Sequence, residues 1–390
     1  MADLKIGLVT KEWPPHIYGG AGVHALQLTE SLRKKISVDV HCFGEKREGE
    51  SVFSYDLPQS LLHLNPALQA LATDIEIAEN LNSVDLVHSH TWYANMAGHF
   101  GSLLQGIPHV ITAHSLEPDR PWKADQLGGG YRLSSWAEKT AYEAADAIIA
   151  VSNGMKKDIL RAYPNLDPSK VHTILNGVDT TVYRPTPDHV FLEKLGISGR
   201  YAIFVGRITR QKGLAHLLRA WKSVNPDIGL VLCAGSPDEP AIGKETADLI
   251  AELQRDRTNV WWFEKMLPKA DVIKLLTTAD LFLCPSIYEP LGIVNLEAMA
   301  CETAVLASRV GGIPEVVQDG ITGELVDYDG DGPAFESRFA RKLQALLDDP
   351  AKLARYGRAG RERAVSEFAW DAIADQTIEL YKTVLSSRAQ

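Results

Sequence analysis

The densest cluster of chemically active side chains in this 390-residue chain is a basic loop, GRITRQKG, at residues 206–213. An apolar run at 201–205 precedes the loop and predicts a buried strand, and Gly213 stands where a helix would open. Arg207 and Lys212 can together neutralise a diphosphate, because arginine offers a planar fork of donors and lysine a mobile point charge. The loop therefore indicates a site that binds a diphosphate and stabilises it as a leaving group.

Two carboxylates eight residues apart, Glu289 and Glu297, form a second group. The apolar run at 281–285 predicts a strand, which places Glu289 in the following loop and Glu297 on a helix that begins near Gly292. Apolar neighbours surround both, so we expect partly buried carboxylates that have polar partners. Carboxylate oxygens accept hydrogen bonds from adjacent sugar or ribose hydroxyls, so this group favours carbohydrate recognition.

A glycine cluster in the first half of the chain consists of Gly19, Gly20 and Gly22. It follows a predicted strand at 5–10 and precedes a predicted amphipathic helix at about 23–35. Such a cluster lets the backbone approach a phosphate and directs helix amides towards it. The spacing is not the dinucleotide GxGxxG fingerprint, so a phosphate-side loop and a plain tight turn both fit.

Three histidines complete the candidates. His114 follows a predicted strand at 109–113, where it can hydrogen-bond a sugar hydroxyl, stabilise a developing charge or serve a structural role. His88 and His90 lie on one face of a strand, but no third ligand is evident, and we predict no metal site. The chain has no GxSxG elbow that would indicate a serine triad.

The elements that must position these residues alternate between short apolar runs and helical patterns. This alternation predicts an α/β protein of two Rossmann-like doubly wound parallel-sheet domains, with ligands bound outside the carboxyl ends of the strands, in a cleft that both domains face. We expect an acceptor-side domain at 1–180, a nucleotide-sugar domain at 181–368, and a C-terminal helix at 369–390 that packs back on the first domain. The predicted hinge is the turn-rich segment 176–188.

Composition narrows the class of protein. A net charge of −10 argues against a nucleic-acid-binding surface. The four cysteines are scattered without zinc or redox spacing, which favours reduced thiols in a reducing cytoplasm. No apolar stretch approaches the roughly 20 residues that span a bilayer, and the amino-terminal run is too short for a signal peptide. We therefore expect a soluble, cytoplasmic protein without stable membrane association.

Taken in order, GRITRQKG and EPLGIVNLE resemble the diphosphate clamp and the Glu-x7-Glu signature of glycosyltransferase family 4, which has the two-domain GT-B architecture. In the first half, KEWPPHIYGGAGVH, the long segment from HSLEPDRPWK to AIIAVS, and HTILNGVD are similar to the actinobacterial glycogen synthase type. The resemblance implies a retaining, metal-independent hexosyltransferase without a cofactor. It would move glucose from a nucleotide-sugar onto an α-1,4-glucan or glucose 1-phosphate, and ADP-glucose is the favoured donor.

The resemblance also implies roles for single residues. Arg207 and Lys212 would hold the diphosphate, and His114 would contact the glucose near its 6-hydroxyl. Glu289 would bind the glucose 3- and 4-hydroxyls, and Glu297 the ribose hydroxyls. The implied catalytic residues are His114, Arg207, Lys212 and Glu289. The implied donor-binding residues are Gly19, Gly20, Gly22, Gly206, Leu291, Gly292, Ile293 and Glu297.

The implied mechanism is front-face attack with retention, in which the departing diphosphate accepts the proton of the acceptor. Retaining hydrolases instead place two carboxylates astride the bond, and the sequence assigns no acidic residue to that role here. Trp13 and His16 depart from the family pattern in a loop expected on the acceptor side.

Open alternatives are a family 4 enzyme with a lipid or small-metabolite acceptor and a nucleotide-sugar 2-epimerase. ADP versus UDP or GDP, polymer versus sugar phosphate, and the oligomeric state also stay open.

Overall fold

The structure, a computed structural model, describes residues 4–120, 128–235 and 237–388. The chain divides into two compact units, one comprising residues 1–177 with 370–390 and the other residues 178–369. Each unit is built on a parallel sheet with helices, which confirms the predicted doubly wound class. Within the described ranges, every helix is too short or too polar to cross a membrane.

The described part of the first unit contains a seven-stranded sheet in the order β3-β2-β1-β4-β5-β6-β7. Its strands are β1 (Lys5–Thr10), β2 (Ser37–Phe43), β3 (Val52–Tyr55), β4 (Leu86–His90), β5 (His109–Ala113), β6 (Ala147–Ala150) and β7 (Val171–Thr173). The edge strand β3 gives no clear sequence signal, because its VFSY segment is only partly apolar and largely unburied. The chain order reverses between β1 and β4, and such a switch point is where ligands of these sheets bind.

The described part of the second unit contains a six-stranded sheet in the order β10-β9-β8-β11-β12-β13. Its strands are β8 (Tyr201–Arg207), β9 (Gly229–Gly235), β10 (Val260–Phe263), β11 (Leu281–Cys284), β12 (Ala304–Ser308) and β13 (Gly323–Val326). Here the order reverses between β8 and β11. The basic loop follows β8 and the Glu289 loop follows β11, so both predicted groups lie at the switch point of this unit.

Helices cover the sheets of both units, as continuous apolar strands require, because such strands are buried on both faces. They are α1 (Gly20–Leu32), α2 (Pro66–Glu79), α3 (Trp92–Gln105), α4 (Gly130–Ala144), α5 (Asn153–Ala162), α6 (His189–Lys194), α7 (Leu214–Trp221), α8 (Pro240–Asp256), α9 (Lys269–Thr278), α10 (Ile293–Ala300), α11 (Ile313–Val316), α12 (Gly332–Leu347), α13 (Pro350–Glu367) and α14 (Trp370–Arg388). In the second unit, the core centres on Trp221, Phe335 and Phe339, each at most 1% exposed.

The C-terminal helix α14 returns to the first unit, as predicted. Its side chains Trp370, Ile373 and Tyr381 are buried in the same apolar cluster as β1, β2 and α1. Arg388 adds an ion pair with Asp146 at 2.8 Å. A break of two residues separates α13 from α14, and there the chain passes from the second unit to the first.

Candidate active site

The basic loop is held by the backbone of the strands around it. Arg207 is the last residue of β8, and Arg210–Lys212 form one 3-10 turn before α7. Gly213 has a φ of 63°, and a Cβ there would lie 2.1 Å from the carbonyl oxygen of Pro285. Any side chain at this position is therefore excluded, and the glycine fixes the loop against the end of β11.

Each cation of the loop contacts a carboxylate. Among the three cations Arg207, Arg210 and Lys212, the side chain of Lys212 is the most enclosed, at 21% exposed. The side chain of its partner Glu289 is 9% exposed. The pairs are Arg207 Nη1 with Asp238 Oδ1 at 2.8 Å, Arg210 Nη2 with Glu239 Oε2 at 3.0 Å, and Lys212 Nζ with Glu289 Oε2 at 2.6 Å. Asp238 and Glu239 were not predicted as site residues, although they follow β9 just as the other groups follow strands. A diphosphate bound at this loop, as the sequence predicts, would have to displace or join these carboxylates.

The ammonium of Lys212 stays charged despite its enclosure. Burial is the largest single influence and lowers its pKa, but the charge and hydrogen bond of Glu289, together with the nearby Cys284, leave the pKa above its ordinary value. Glu289 also accepts a hydrogen bond from Ser286 at 3.2 Å, again at Oε2. Within the described residues no hydrogen bond reaches Oε1 of Glu289, so this oxygen is the one that can accept from a sugar hydroxyl.

The start of α10 brings three predicted residues together. Leu291 is buried, Gly292 has a φ of 93° at the N-cap, and the helix begins at Ile293. The first amides of a helix have no intrahelical acceptor, so they can donate to an oxygen-rich ligand. Asn295, fully buried, offers both side-chain amide atoms without a partner in the described chain, and sequence reasoning missed it.

Glu297 lies one turn further along α10. Burial of its carboxyl group raises its pKa to about 7, against opposing effects of a hydrogen bond from Tyr183 and of the charges of Lys269 and Lys212. The group is therefore partly protonated near neutral pH. Tyr183 was also missed, because the segment around it was predicted only as a hinge.

In the first unit, Glu12 organises the glycine cluster. Its Oε2 accepts hydrogen bonds from the backbone N–H groups of Tyr18 and Gly19 at 2.9 and 2.8 Å. A Cβ on Gly22 would lie 2.6 Å from Cβ of Glu12. The helix α1 therefore begins at Gly20, three residues before the predicted start, and the glycines form its first turn.

His114 belongs to a cluster of imidazoles that also contains His24 and His90. The Nε2 atom of His114 lies 3.0 Å from Nδ1 of His90, and the ring of His24 meets that of His114 edge-on at 4.7 Å. His24 Nδ1 also contacts Oδ1 of Asn176 at 2.6 Å. The Nε2 atoms of His24 and His90 are buried without a partner among the described residues.

One nitrogen of each of these three histidines lies within 4.8 Å of the others, so His24, His90 and His114 form a set that can hold a metal ion. The metal pair considered from the sequence was His88 and His90. His88 is already engaged on both sides, by the hydroxyls of Tyr381 at 2.6 Å and Thr112 at 2.7 Å.

Burial decides the charge of this cluster. It lowers the pKa of His24 to about 4 and that of His90 and His114 well below the usual value. The imidazoles are therefore neutral near pH 7. A neutral His114 can exchange hydrogen bonds with a hydroxyl.

The structure thus groups the predicted residues within each unit. In the second unit, Arg207, Lys212 and Glu289 meet at the end of β8, with Glu297 on the adjoining helix. In the first unit, Trp13 of the loop expected on the acceptor side is 6% exposed and packs in the apolar core.

Comparison with known proteins gives this geometry a context. Residues 18–182 match the family described as Glycosyltransferase Family 4, and residues 192–363 match Glycosyl transferases group 1. The α-maltose-1-phosphate synthases of Mycolicibacterium smegmatis and Mycobacterium tuberculosis are 54% and 50% identical, over 98% of this chain and 100% of theirs. The sucrose-phosphate synthase structure from Thermosynechococcus elongatus superposes with a TM-score of 0.79 at 24% identity, covering 98% of this chain and 100% of that one. The two-sheet GT-B fold is therefore confirmed, and the chain belongs to glycosyltransferase family 4.

Proposed function

We propose that this glycosyltransferase moves glucose from ADP-glucose to the 4-hydroxyl of glucose 1-phosphate, forming α-maltose 1-phosphate and ADP. The observation that carries the proposal is the contact between Lys212 and Glu289, which joins a cation suited to a diphosphate with a carboxylate suited to sugar hydroxyls. Support also comes from two α-maltose-1-phosphate synthases that match the chain over nearly its whole length.

The donor diphosphate is held by Arg207 and Lys212 in this proposal. Arg207 exchanges its contact with Asp238 for a phosphate oxygen, while Lys212 keeps Glu289 and adds a phosphate. The amides at the start of α1 and α10 contribute further donors, because helix N-termini favour anions.

Sugar recognition falls to three side chains. Oε1 of Glu289 accepts from the 3- and 4-hydroxyls of glucose, supported by amides at 291–293. His114, neutral and fixed by His90, exchanges a hydrogen bond with the 6-hydroxyl. Glu297 accepts from the ribose hydroxyls, which favours its ionised form.

The chemical step proposed is front-face substitution with retention. The bond from C1 of glucose to the diphosphate oxygen breaks, the bond from C1 to the acceptor oxygen forms on the same face, and the acceptor proton passes to the departing diphosphate. Arg207 and Lys212 stabilise the negative charge that develops on the diphosphate, a contribution for which no metal ion is required.

The test is a matrix of donors and acceptors. ADP-, UDP- and GDP-glucose are each supplied with glucose 1-phosphate or glycogen, and released nucleotide is measured. We expect the fastest release with ADP-glucose and glucose 1-phosphate, and an α-configured disaccharide phosphate by NMR. Elongation of glycogen without reaction of glucose 1-phosphate would refute the acceptor assignment, and a β-linked product would refute retention.

Metal independence is tested in the same assay. We expect EDTA to leave the rate unchanged, because two cationic side chains serve the leaving group. Loss of activity that a divalent cation restores would contradict this expectation and would direct attention to the histidine cluster of the first unit.

A further inference from the structure

The histidine cluster of the first unit, His24, His90 and His114, has the spacing of a metal site. One nitrogen of each ring lies within 4.8 Å of the others. Three atoms so spaced share a point no more than about 2.8 Å from each, which is the largest separation divided by the square root of three. A zinc–imidazole bond is about 2.0–2.1 Å long, so the rings need to move by less than about 1 Å to bind one ion.

The ring of His24 is oriented for ligation by a neighbouring amide. Its Nδ1–H donates to Oδ1 of Asn176 at 2.6 Å, and both side chains are buried. The Nε2 atom of His24 therefore carries a lone pair, and it is buried without a partner among the described residues. Proteins usually orient a metal-binding histidine in this way, by a hydrogen bond from the nitrogen that does not bind the metal.

The other two rings share a hydrogen bond that a metal ion can replace. Nδ1 of His90 and Nε2 of His114 lie 3.0 Å apart, so one of these nitrogens donates and the other accepts. Nε2 of His90 is buried without a partner in the described part of the chain. A buried polar atom without a partner costs about 1–3 kcal/mol, and a bound metal ion would remove such a cost.

Charge and access favour a transition metal at this cluster. Burial lowers the pKa of all three histidines, so protons do not compete for the ring nitrogens near pH 7. Imidazole nitrogens suit zinc, whereas Mg²⁺ and Ca²⁺ prefer oxygen ligands. His114 is only partly buried, so an ion can reach the cluster from solvent. Three histidines and one water would complete the tetrahedron that zinc adopts in open sites.

We propose that His24, His90 and His114 bind one Zn²⁺ ion and that the bound ion inhibits glucosyl transfer. The inhibitory effect rests on the proposed function, which assigns His114 to the 6-hydroxyl of the donor glucose. Zinc takes a lone pair of His114 and fixes its ring, so the ring no longer adapts to that hydroxyl. Zinc and donor therefore compete. The ion is not needed for transfer, in agreement with the expectation that EDTA leaves the rate unchanged.

Binding is measured on the full chain with the metal alone. Zn²⁺ titrated into metal-free protein by calorimetry should bind at one ion per chain with a Kd of about 10 µM or tighter. Co²⁺ in its place should give the intense visible absorption of four-coordinate cobalt. In the transfer assay free Zn²⁺ should inhibit, and a tenfold higher concentration of ADP-glucose should raise the zinc concentration for half-inhibition several-fold.

His24→Gln tests the ligand set, because it removes one imidazole and keeps a side chain that can donate to Asn176. Loss of an orienting partner alone weakens metal binding by about 10–100-fold, so loss of a ligand should weaken zinc binding at least tenfold. The four-coordinate cobalt spectrum should disappear. Half-inhibition, measured against the variant's own rate without zinc, should need at least tenfold more zinc.

The matched control is His41→Gln. His41 is a buried histidine of β2 whose Nδ1 contacts the hydroxyl of Tyr55 at 2.8 Å, and its Nε2 is also buried without a partner in the described ranges. It lies outside the cluster. A general loss of stability should appear in both variants, whereas loss of zinc binding should appear only in His24→Gln. If His24→Gln does not fold, Asn176→Ala takes its place, with zinc binding expected to weaken by about 10–100-fold.

Three results would overturn the proposal. No heat of binding and no cobalt spectrum at about 1 mM metal would show that the cluster does not bind the ion. Zinc affinity in His24→Gln equal to that in His41→Gln would show that the ion binds elsewhere. Zinc bound at the cluster without inhibition would remove the inhibitory role. If the unchanged protein transfers no glucose from ADP-glucose to glucose 1-phosphate without zinc, the proposed function fails, while calorimetry and the cobalt spectrum still decide the zinc site.

Discussion

Replacement of Lys212 by methionine separates the catalytic role of this cation from its structural one. The substitution keeps the aliphatic length of the side chain and leaves the Glu289 carboxylate, 9% exposed, without its cation. Removing one partner of a fully buried pair costs about 3–5 kcal/mol, and since Lys212 is 21% exposed we expect about 2–3 kcal/mol of lost unfolding free energy. For a unit of this size, that loss lowers Tm by about 4–12 °C.

The same change should reduce kcat by about 10²–10³-fold, the usual effect of removing one donor from a developing negative charge. Thermal unfolding and nucleotide release are measured on Lys212→Met and on Lys212→Met combined with Glu289→Gln. The second change removes the unpaired charge, so the double variant should regain at least half of the lost stability while transfer stays defective.

Two results would refute this reasoning. Transfer within tenfold of the unchanged protein in Lys212→Met would show that the ammonium does not serve the leaving group. A double variant no more stable than the single one would show that the unpaired Glu289 carboxylate is not the source of the instability.

Three further predictions concern other parts of the chain. Asp238→Asn should tighten ADP binding several-fold by calorimetry, because Arg207 no longer has to leave a carboxylate; weaker binding would contradict this. Glu297 has a pKa of about 7 in the folded protein against an ordinary 4.5, so the folded state holds the proton more tightly. The free energy of unfolding should therefore fall as the pH rises from 4.5 to 7, and Glu297→Gln should flatten this dependence in denaturant titrations. Gly22→Ala should cost about 1–3 kcal/mol of stability by chemical denaturation, because its Cβ meets a side chain at 2.6 Å; an unchanged midpoint would contradict this.

The strands were the most predictable part of the fold. Continuous apolar runs such as YAIFV at 201–205 gave β8, and the same pattern placed Arg207 and Glu289 after neighbouring strands. The start of α1 was misplaced, because glycine is a poor helix former and the sequence does not reveal that Glu12 holds the preceding amides.

Contacts between distant segments were beyond sequence reasoning. His24, His90 and His114 come from a helix and two strand ends, and only the strand order shows that they meet. From the sequence alone one could read only that His90 ends a strand, that His114 follows one, and that His24 lies on the helix after the first strand. Tyr183 gave no such signal, because a turn-rich, proline-containing segment predicts only a connection and does not reveal that Arg361 of α13 donates to the Tyr183 carbonyl oxygen.

The path of the chain also sets the order in which the protein can be assembled during synthesis. The helix α14 completes the apolar core of the first unit. Its Trp370 contacts the ring of His24, and its Tyr381 contacts the ring of His88. A ribosome that has made residues 1–177 has therefore not yet supplied everything that this unit needs, whereas residues 178–369 are complete once they emerge. A chain truncated after residue 369 would keep the whole second unit and would lack the helix whose Trp370 packs against the ring of His24.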